Sequence, residues 1–511
     1  MLGRYYVHLA RRPTGRKRHL TGCLLRPLTP PWVFIAILVK HTTLVVLVSA
    51  LVALAGHGPA VAAGVFYADS VYGNDSNPGT QSAPWQSLIR ANRQLLAPGD
   101  SLLLKRGSFW SGQELQVSEN GTSAARITVD AYGAGAVPVI SAAASCVIVS
   151  GDYVTVRGLK LDGCDWAGIE FDQGASFGLA EFNTLTHNVA GAQVASGASD
   201  NTIQNNTIID NNKMKVLTPC PTNCSDDSGA WGVLLNGDRN VVGYNTISGS
   251  DAYSYDYGRD GSAVEVFNGA GNMIQRNKAI DNETFSELGG AATRDNSFIY
   301  NSVRSAVGQG KFVVLTGVAK NTTLTNNSVY LTGSTSQGIV CSSGCNTEVL
   351  HTRNNLIKAV LKAGYADAQF DDAYGVYSGY IQFALGVNSV AADPKFRSTT
   401  DLRVEPASPA VDSGTSLGYA ADIDAKTVPL DNNNDGVKTV NRGSNEWLAP
   451  PTQCPDFNAD RVVDISDAIK LTNWYARAAP PAPAGYDVNH DGFVDVLDVT
   501  YVTGWFGRRS C

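Results

Sequence analysis

Two twelve-residue segments near the C-terminus, DFNADRVVDISD (456–467) and DVNHDGFVDVLD (487–498), carry oxygen side chains at the same loop positions. The first segment offers Asp456, Asn458, Asp460, Asp464 and Asp467; the second offers Asp487, Asn489, Asp491, Asp495 and Asp498. Position 8 is apolar in both, Val463 and Val494. A hard cation such as calcium takes roughly six to eight oxygens, and this spacing folds a short loop around one ion. Two acidic, solvated turns are the plain alternative. Recurrence in register, each time followed by an apolar helical stretch (AIKLTNWY, then VTYVTGWFG), favours calcium.

A second set of carboxylates lies mid-chain. The short segments GIEF, GAQV, GVLL, AVEV, SELG, FVVL and GIVC each read as a strand. Strand side chains alternate between faces, so if the apolar members point inward, one outward row reads Glu170, Gln193, Leu234, Glu265, Glu287, Val314 and Val340. Stacked strands lie about 5 Å apart, which makes Glu265 and Glu287 direct neighbours. Two exposed carboxylates at that distance repel unless a cation or a shared proton relieves them. Such a pair fits calcium binding or acid–base work; a solvated acidic face is the bland alternative.

The elements that hold this row repeat. EFNTLTHN, DNTIQNNTIIDN, RNVVGYNTISG, GNMIQRNKAIDN, DNSFIYNSVRS, NTTLTNNSVYL and EVLHTRNNLIK align on Asn183, Asn206, Asn245, Asn277, Asn301, Asn327 and Asn354. A period in the twenties, with insertions, is the signature of a solenoid of short strands turned at Gly and Asn. Stacked Asn side chains can form amide ladders inside the turns. From Val65 to about Phe396 this pattern resembles the right-handed parallel β-helix of the pectate-lyase-like superfamily. The segment YADSVYGNDSNPGTQSAPWQSLIRANRQLLAPGDSLLLKRGSFWSG is similar to the entry cap of secreted β-helices. Its APWQSLIRANRQLL stretch reads as a short amphipathic helix turning Trp85, Leu88, Ile89 and Leu95 onto the first coil. DPKFRSTTDLRVEPASPAVDSGT resembles the closing segment of such proteins.

The stretch GRDGSAVEVFNGAGNMIQRNKAIDNETFSELGG, with GQGKFVVLTG one coil on, resembles the active-site region of family 9 polysaccharide lyases. The resemblance implies a calcium site at Asp260, Glu283 and Glu287 and a base at Lys311, although the family usually has Asp in its acidic cluster and Lys311 falls one residue early. β-Elimination on a uronate needs a base for the proton beside the carboxylate and a cation for the developing enolate. Arg259, Arg294 and Arg304 are then candidate clamps for substrate carboxylates, each with a plain surface role as its alternative. Tyr255, in the run AYSYDYGRD, can wall a sugar groove or simply pack its loop. A calcium-assisted lyase on an acidic polysaccharide such as pectate is the leading reading. A glycoside hydrolase using Glu265 and Glu287, and a non-catalytic sugar-binding β-helix, are the others; fold alone does not choose among them.

The ends of the chain set the context. Residues 1–63 hold eight Lys or Arg and no Asp or Glu, then an apolar run and small residues, the order of a secretory signal; a retained signal anchor that tethers the protein to the membrane is the alternative. Removing the eight basic residues takes the formal charge from -7 to -15, which argues against nucleic acid as a partner. Eight of the nine cysteines follow this leader, and the pairs Cys146/Cys164, Cys220/Cys224, Cys341/Cys345 and Cys454/Cys511 read as disulfides, with metal knuckles as the alternative for the CxxxC spacings. The organisation expected is a signal peptide or anchor over 1–63, a β-helix over 64–396, its closing segment over 397–449, a linker over 450–453 and a calcium module over 454–511. The doubled loops, ending in Asp and lacking a full entering helix, resemble a dockerin. That resemblance implies attachment to a cohesin-bearing partner. The expected class is all-β, a right-handed parallel β-helix with an N-terminal cap helix and a small α-helical calcium-binding dockerin domain.

Overall fold

The computed structural model describes residues 62–222, 225–432, 436–446, 455–458, 460, 462–488 and 492–506. Short strands wind into successive coils, each contributing to three parallel faces. One coil contains Met273–Gln275 on the first face, Lys278–Ile280 on the second and Thr284–Gly289 on the third. Each strand pairs in parallel with the same strand of the neighbouring coil: Ile274 with Phe298, Ala279 with Val303, Leu288 with Leu315. The first face runs through twelve strands, from Val65–Ala68 to Asp371–Ala373. This is a right-handed parallel β-helix.

Alternation within each strand builds the core. On the third face Ile169, Ala192, Val233 and Val264 stack inward in one row, and Phe171, Val194, Leu235, Val266, Leu288 and Leu315 in another. On the second face Ile140, Leu161, Leu185, Ile208 and Ile247 do the same. Each Val, Leu, Ile or Phe side chain in these rows, fully removed from water, is worth about 1.5–3 kcal/mol. A solenoid has no other way to bury these rows than by stacking.

The corners follow one rule. A residue with positive φ is followed by an Asn whose amide ladders to the next coil. At the first-to-second corner Phe182, Asn205, Tyr244, Arg276, Tyr300 and Asn326 have φ of 53–57°, and each precedes a ladder residue: Asn183, Asn206, Asn245, Asn277, Asn301 and Asn327. The Asn206 amide nitrogen donates to Asn245 Oδ1 at 3.1 Å, and that of Asn245 donates to Asn277 Oδ1 at 3.1 Å. The last rung is Asn355, which accepts from Asn327 at 2.9 Å, and not the Asn354 expected. Asn354 has φ +57° and takes the left-handed turn position, which Asn tolerates better than most residues. Two further ladders, unanticipated, run at the other corners: Asn201, Asn240, Asn272 and Asn296, then Asn188 and Asn211 with Ser250 and Asn282.

The cap helix is shorter than the fourteen-residue amphipathic pattern implied. It spans Leu88–Ala91, with Ser87 as its N-cap. Trp85 and Leu88 are fully buried as expected, but Ile89 and Leu95 are exposed, and Ala91 and Leu96 turn inward instead. One turn of helix cannot sustain a longer stripe, and Asn92, whose side chain bonds Glu114 and Gln116, ends it. At the other end residues 397–432 and 436–446 fold back along the coils. Arg276 donates to the carbonyls of Ala421 and Asp422, and Arg442 to those of Gly375 and Asn388. Disulfides join Cys146 to Cys164 and Cys341 to Cys345. Cys224, Cys454 and Cys511, and so the two other expected pairings, lie outside the described residues, as does the expected signal segment.

Near the C-terminus, helices Ile465–Thr472 and Val496–Thr503 repeat one design. Asp464 and Asp495 cap them, and Asp467 and Asp498 complete capping boxes. Val463 and Val494, the apolar eighth loop positions, are fully buried beside Leu471 and Val502. No helix among the described residues is long and apolar enough to cross a membrane.

Candidate carboxylate site on the third face

The pairing register sets Glu170, Gln193, Leu234, Glu265, Glu287, Val314 and Val340 side by side in one row. Glu265 and Glu287 are therefore direct neighbours on adjacent coils. Glu265 is half-buried; Trp231 Nε1 donates to its Oε2 at 2.5 Å and Ser262 Oγ donates at 3.3 Å. Burial first, and then the charge of Glu287, push the Glu265 carboxyl up to about 8, against the bond from Trp231. Glu287 is open to solvent at its edge but closely ringed by protein; desolvation first, then Glu283, raise its proton affinity, and Lys311 opposes them. Both carboxyls bind a proton more tightly than an isolated glutamate, and because each raises the other's cost of ionising, the pair titrates as a unit.

Three more charged groups complete the pocket. Asp260 ends the hairpin Ala252–Ser254/Gly258–Asp260, and burial, then the charge of Glu287, push it up to about 7. Glu283 is buried, and its carboxylate is already committed to Thr284 Oγ1, Gln309 Nε2 and Lys311 Nζ. Lys311 opens the next coil's strand and serves here as the cation that holds Glu283. Gln309 also bonds the carbonyl of Arg259 at 3.0 Å, which ties the hairpin to this corner. The Tyr257 ring lies within electrostatic reach of Glu287 and Asp260, and the hydroxyl's proton affinity is raised, by burial first.

Other sequence candidates are placed elsewhere. Arg304 is on the second face, paired in register with Ile280 and Tyr330, and not on the carboxylate row. Arg294 sits at the corner beyond the far end of the Thr284–Gly289 strand, bonding Asp295 and the Ala292 carbonyl. Arg259 is near the pocket, but its guanidinium is paired with Asp251 at 2.6 Å. Tyr255 is exposed on the hairpin turn against Tyr253, with ring centroids 5.1 Å apart. Sequence reasoning missed Trp231, Ser262 and Gln309, which act only through folding onto the glutamates. The register does carry a signal for them: Trp231, Ser262, Thr284 and Lys311 form a second row beside the glutamates.

Oxygen ligands for a cation were expected at Asp260, Glu283 and Glu287. With Glu283 turned to Lys311, these three do not converge. Among the described residues, the trio whose carboxylate oxygens all lie within 4.8 Å of one another is Asp226, Asp227 and Asp256, in the loops above the third face. In the C-terminal loops the expected donors Asp456, Asn458, Asp460, Asp464, Asp467, Asp487, Asp495 and Asp498 are described, whereas Asn489 and Asp491 lie outside the described residues. Asp467 accepts from the backbone N–H groups of Asn458 and Asp464 at 3.1 and 3.0 Å, and Asp498 from those of Val488 and Asp495 at 2.8 Å each. The twelfth residue of each loop thus gathers backbone N–H groups from the loop's start and its ninth position, and the oxygen donors among the described residues are of the type a hard cation takes.

Residues 67–217 match the family described as Pel9A-like, right-handed β-helix region, and residues 145–357 match the right-handed β-helix region family. Among solved structures, the chain is similar to the pectate lyase Pel9A, with a TM-score of 0.54, 16% identity, and 76% of this chain and 97% of that chain covered. The chain thus shares the right-handed parallel β-helix fold with that protein. The lacto-N-biosidase of Eubacterium ramulus aligns with a TM-score of 0.37 at 15% identity, over 63% of this chain and 68% of that one. A lacto-N-biosidase of Bifidobacterium longum subsp. longum is 43% identical over 72 residues, which is 13% of this chain and 4% of that protein. The chain therefore matches only a small fraction of that relative's length.

Proposed function

We propose that this chain is a carbohydrate-active enzyme whose third face cleaves glycosidic bonds in an acidic polysaccharide by carboxyl acid–base chemistry. The observation that carries the reading is the Glu265–Glu287 pair. Glycoside hydrolysis needs one carboxyl that keeps its proton and one that gives it up, flanking the same bond. Glu265, held by Trp231 and pushed up to about 8, is the proton donor to the leaving oxygen. Glu287, at the solvent edge beside Lys311, is the base or nucleophile. Asp260 accepts the Gly261 N–H at 2.8 Å, and the charge of Glu287 adds to the burial that raises its proton affinity. The lacto-N-biosidase that is 43% identical over 72 residues supports the carbohydrate-active reading and does not bear on the choice of reaction.

A lyase reading stays in play through Lys311, whose ammonium group lies in the same pocket, and through the pectate lyase whose fold this chain shares. There, Lys311 would have to leave Glu283 and act as a free amine, with Glu283 released to a calcium ion that supplies charge stabilisation. Glu265→Gln and Lys311→Met separate the two readings. The hydrolase reading expects Glu265→Gln to lose about 10²-fold or more in rate and Lys311→Met to lose far less. The reverse order overturns it.

We also propose that the protein is exported, that residues 454–511 form a dockerin folded on calcium, and that this module docks a cohesin-bearing partner. The doubled oxygen loops and the paired capping boxes support this reading.

A further inference from the structure

The second face carries a cavity of about 460 Å³ on the same coils as the glutamates. Its floor is the outward side of the strands Lys278–Ile280 and Ser302–Ser305, and its wall is the returning segment at Thr400–Arg403 and Asp424. Three cations line it: Lys278, Arg304 and Arg403. Two anions face them, and both are matched. Arg403 forks onto Asp401 through Nε and Nη2 at 2.9 and 2.8 Å. Asp424 accepts from the Asn445 amide at 2.7 Å and lies 3.5 Å from Lys278 Nζ. Arg304 has no ion pair or side-chain hydrogen bond among the described residues, and its side chain is half-buried against the cavity. The lining therefore carries one uncompensated guanidinium, in a chain whose formal charge is -7.

A half-buried guanidinium without a partner is a preformed fork for a carboxylate. Around it stand Ser302 and Thr400 hydroxyls and the Asn445 amide, polar groups suited to sugar hydroxyls. The cavity is close to the third-face pocket along the chain: Ile280 lines it, and Glu283 follows three residues later, within about 11 Å of fully extended backbone. We infer that this cavity is a subsite for a uronate unit of the polysaccharide, with Arg304 pairing its carboxylate. The inference rests on the reading of the chain as polysaccharide-active and adds where the acidic unit is recognised.

The test uses the full chain carrying Glu265→Gln, so that binding is measured without requiring turnover. Galacturonate and guluronate oligomers are titrated by calorimetry, alongside the same oligomers with their carboxyls reduced to alcohols. The expected result is binding of at least one acidic oligomer that falls about tenfold or more with Arg304→Ala, the scale of one lost charged hydrogen-bonding fork, while any affinity for its reduced counterpart is unchanged. Arg304→Lys should recover part of the loss, because it restores the charge without the fork. Should Arg304→Ala fail to fold, Lys278→Ala should show a smaller loss with the same selectivity for the acidic form. Equal affinity in parent and variants, equal loss for acidic and reduced oligomers, or no binding of either acid overturns the inference. An active Glu265→Gln variant that still shows the Arg304 effect would sink the catalytic reading and leave the subsite standing.

Discussion

Glu265 and Trp231 show how much one indole contact settles. A carboxyl pushed up to about 8 keeps its proton at neutral pH, and the Trp231 bond fixes which oxygen faces the protein. Its titration is also a statement about stability. Asp260 and Glu265 bind protons more tightly in the fold, about 7 and about 8, than their ordinary values of 3.8 and 4.5. The folded state therefore holds more protons across that window, so stability is greatest below it and declines as pH rises through the folded values. In chelator, the melting temperature should fall from about pH 5 to pH 8, and Glu265→Gln should flatten that fall, which a melting series over pH measures. A variant with the same slope as the parent would show that Glu265 is ionised throughout. The glutamate row was legible because alternation with period two fixes which residues share a face. The orientation of Glu283 was not: its partners Gln309 and Lys311 lie on the following coil, and only folding shows that they consume the carboxylate meant for a cation.

The corner is the working element of this fold. Most corners combine a left-handed residue with a buried Asn whose amide reaches two coils, Ser250 replacing the Asn at one rung. Asn245 accepts from Asn206 and donates to Asn277 Oδ1 and to the Ile203 carbonyl, with all of these groups buried. Asn245→Ala strands several of them, and each buried polar group left unpaired costs roughly 1–3 kcal/mol. We expect a clear drop in denaturant midpoint for this variant. Asn205→Gly, at the exposed turn position with φ +53°, should move it little, because Gly accepts that conformation freely. The first ladder could be read from spacing, since its Asn residues recur inside strand-like segments. The choice between Asn354 and Asn355 could not, because an Asn–Asn pair offers two candidates and only backbone φ distinguishes turn from rung. A short cap helix was legible but its end was not: periodicity over fourteen residues does not reveal that Asn92 stops the helix after one turn.

At the scale of the whole molecule, a three-faced helix presents the Glu265–Glu287 row on one face and a cation-lined cavity on the next, while the two oxygen-rich loops lie far along the chain. The β-helix stands on stacked apolar rows, whereas the C-terminal module has a small core around Val463, Leu471, Val488, Val494 and Val502 and many carboxylates. Removing calcium should therefore abolish or lower a melting transition of the module and leave the β-helix transition in place, which calorimetry with and without chelator checks. Fold class and loop pattern were open to sequence reasoning because both are repeats, and repetition survives when single residues mislead. The reaction was less open, because it turns on a handful of contacts between coils. The central claim is that the Glu265–Glu287 pair breaks glycosidic bonds by proton transfer. Its most direct test is the product chemistry of the parent and of Glu265→Gln on pectate, alginate and their neutral, carboxyl-reduced forms, following new reducing ends and unsaturated uronates together. The account predicts reducing ends without unsaturation, lost by about 10²-fold or more in Glu265→Gln. Unsaturated products, or a Glu265→Gln variant that cleaves at the parent's rate, would contradict it.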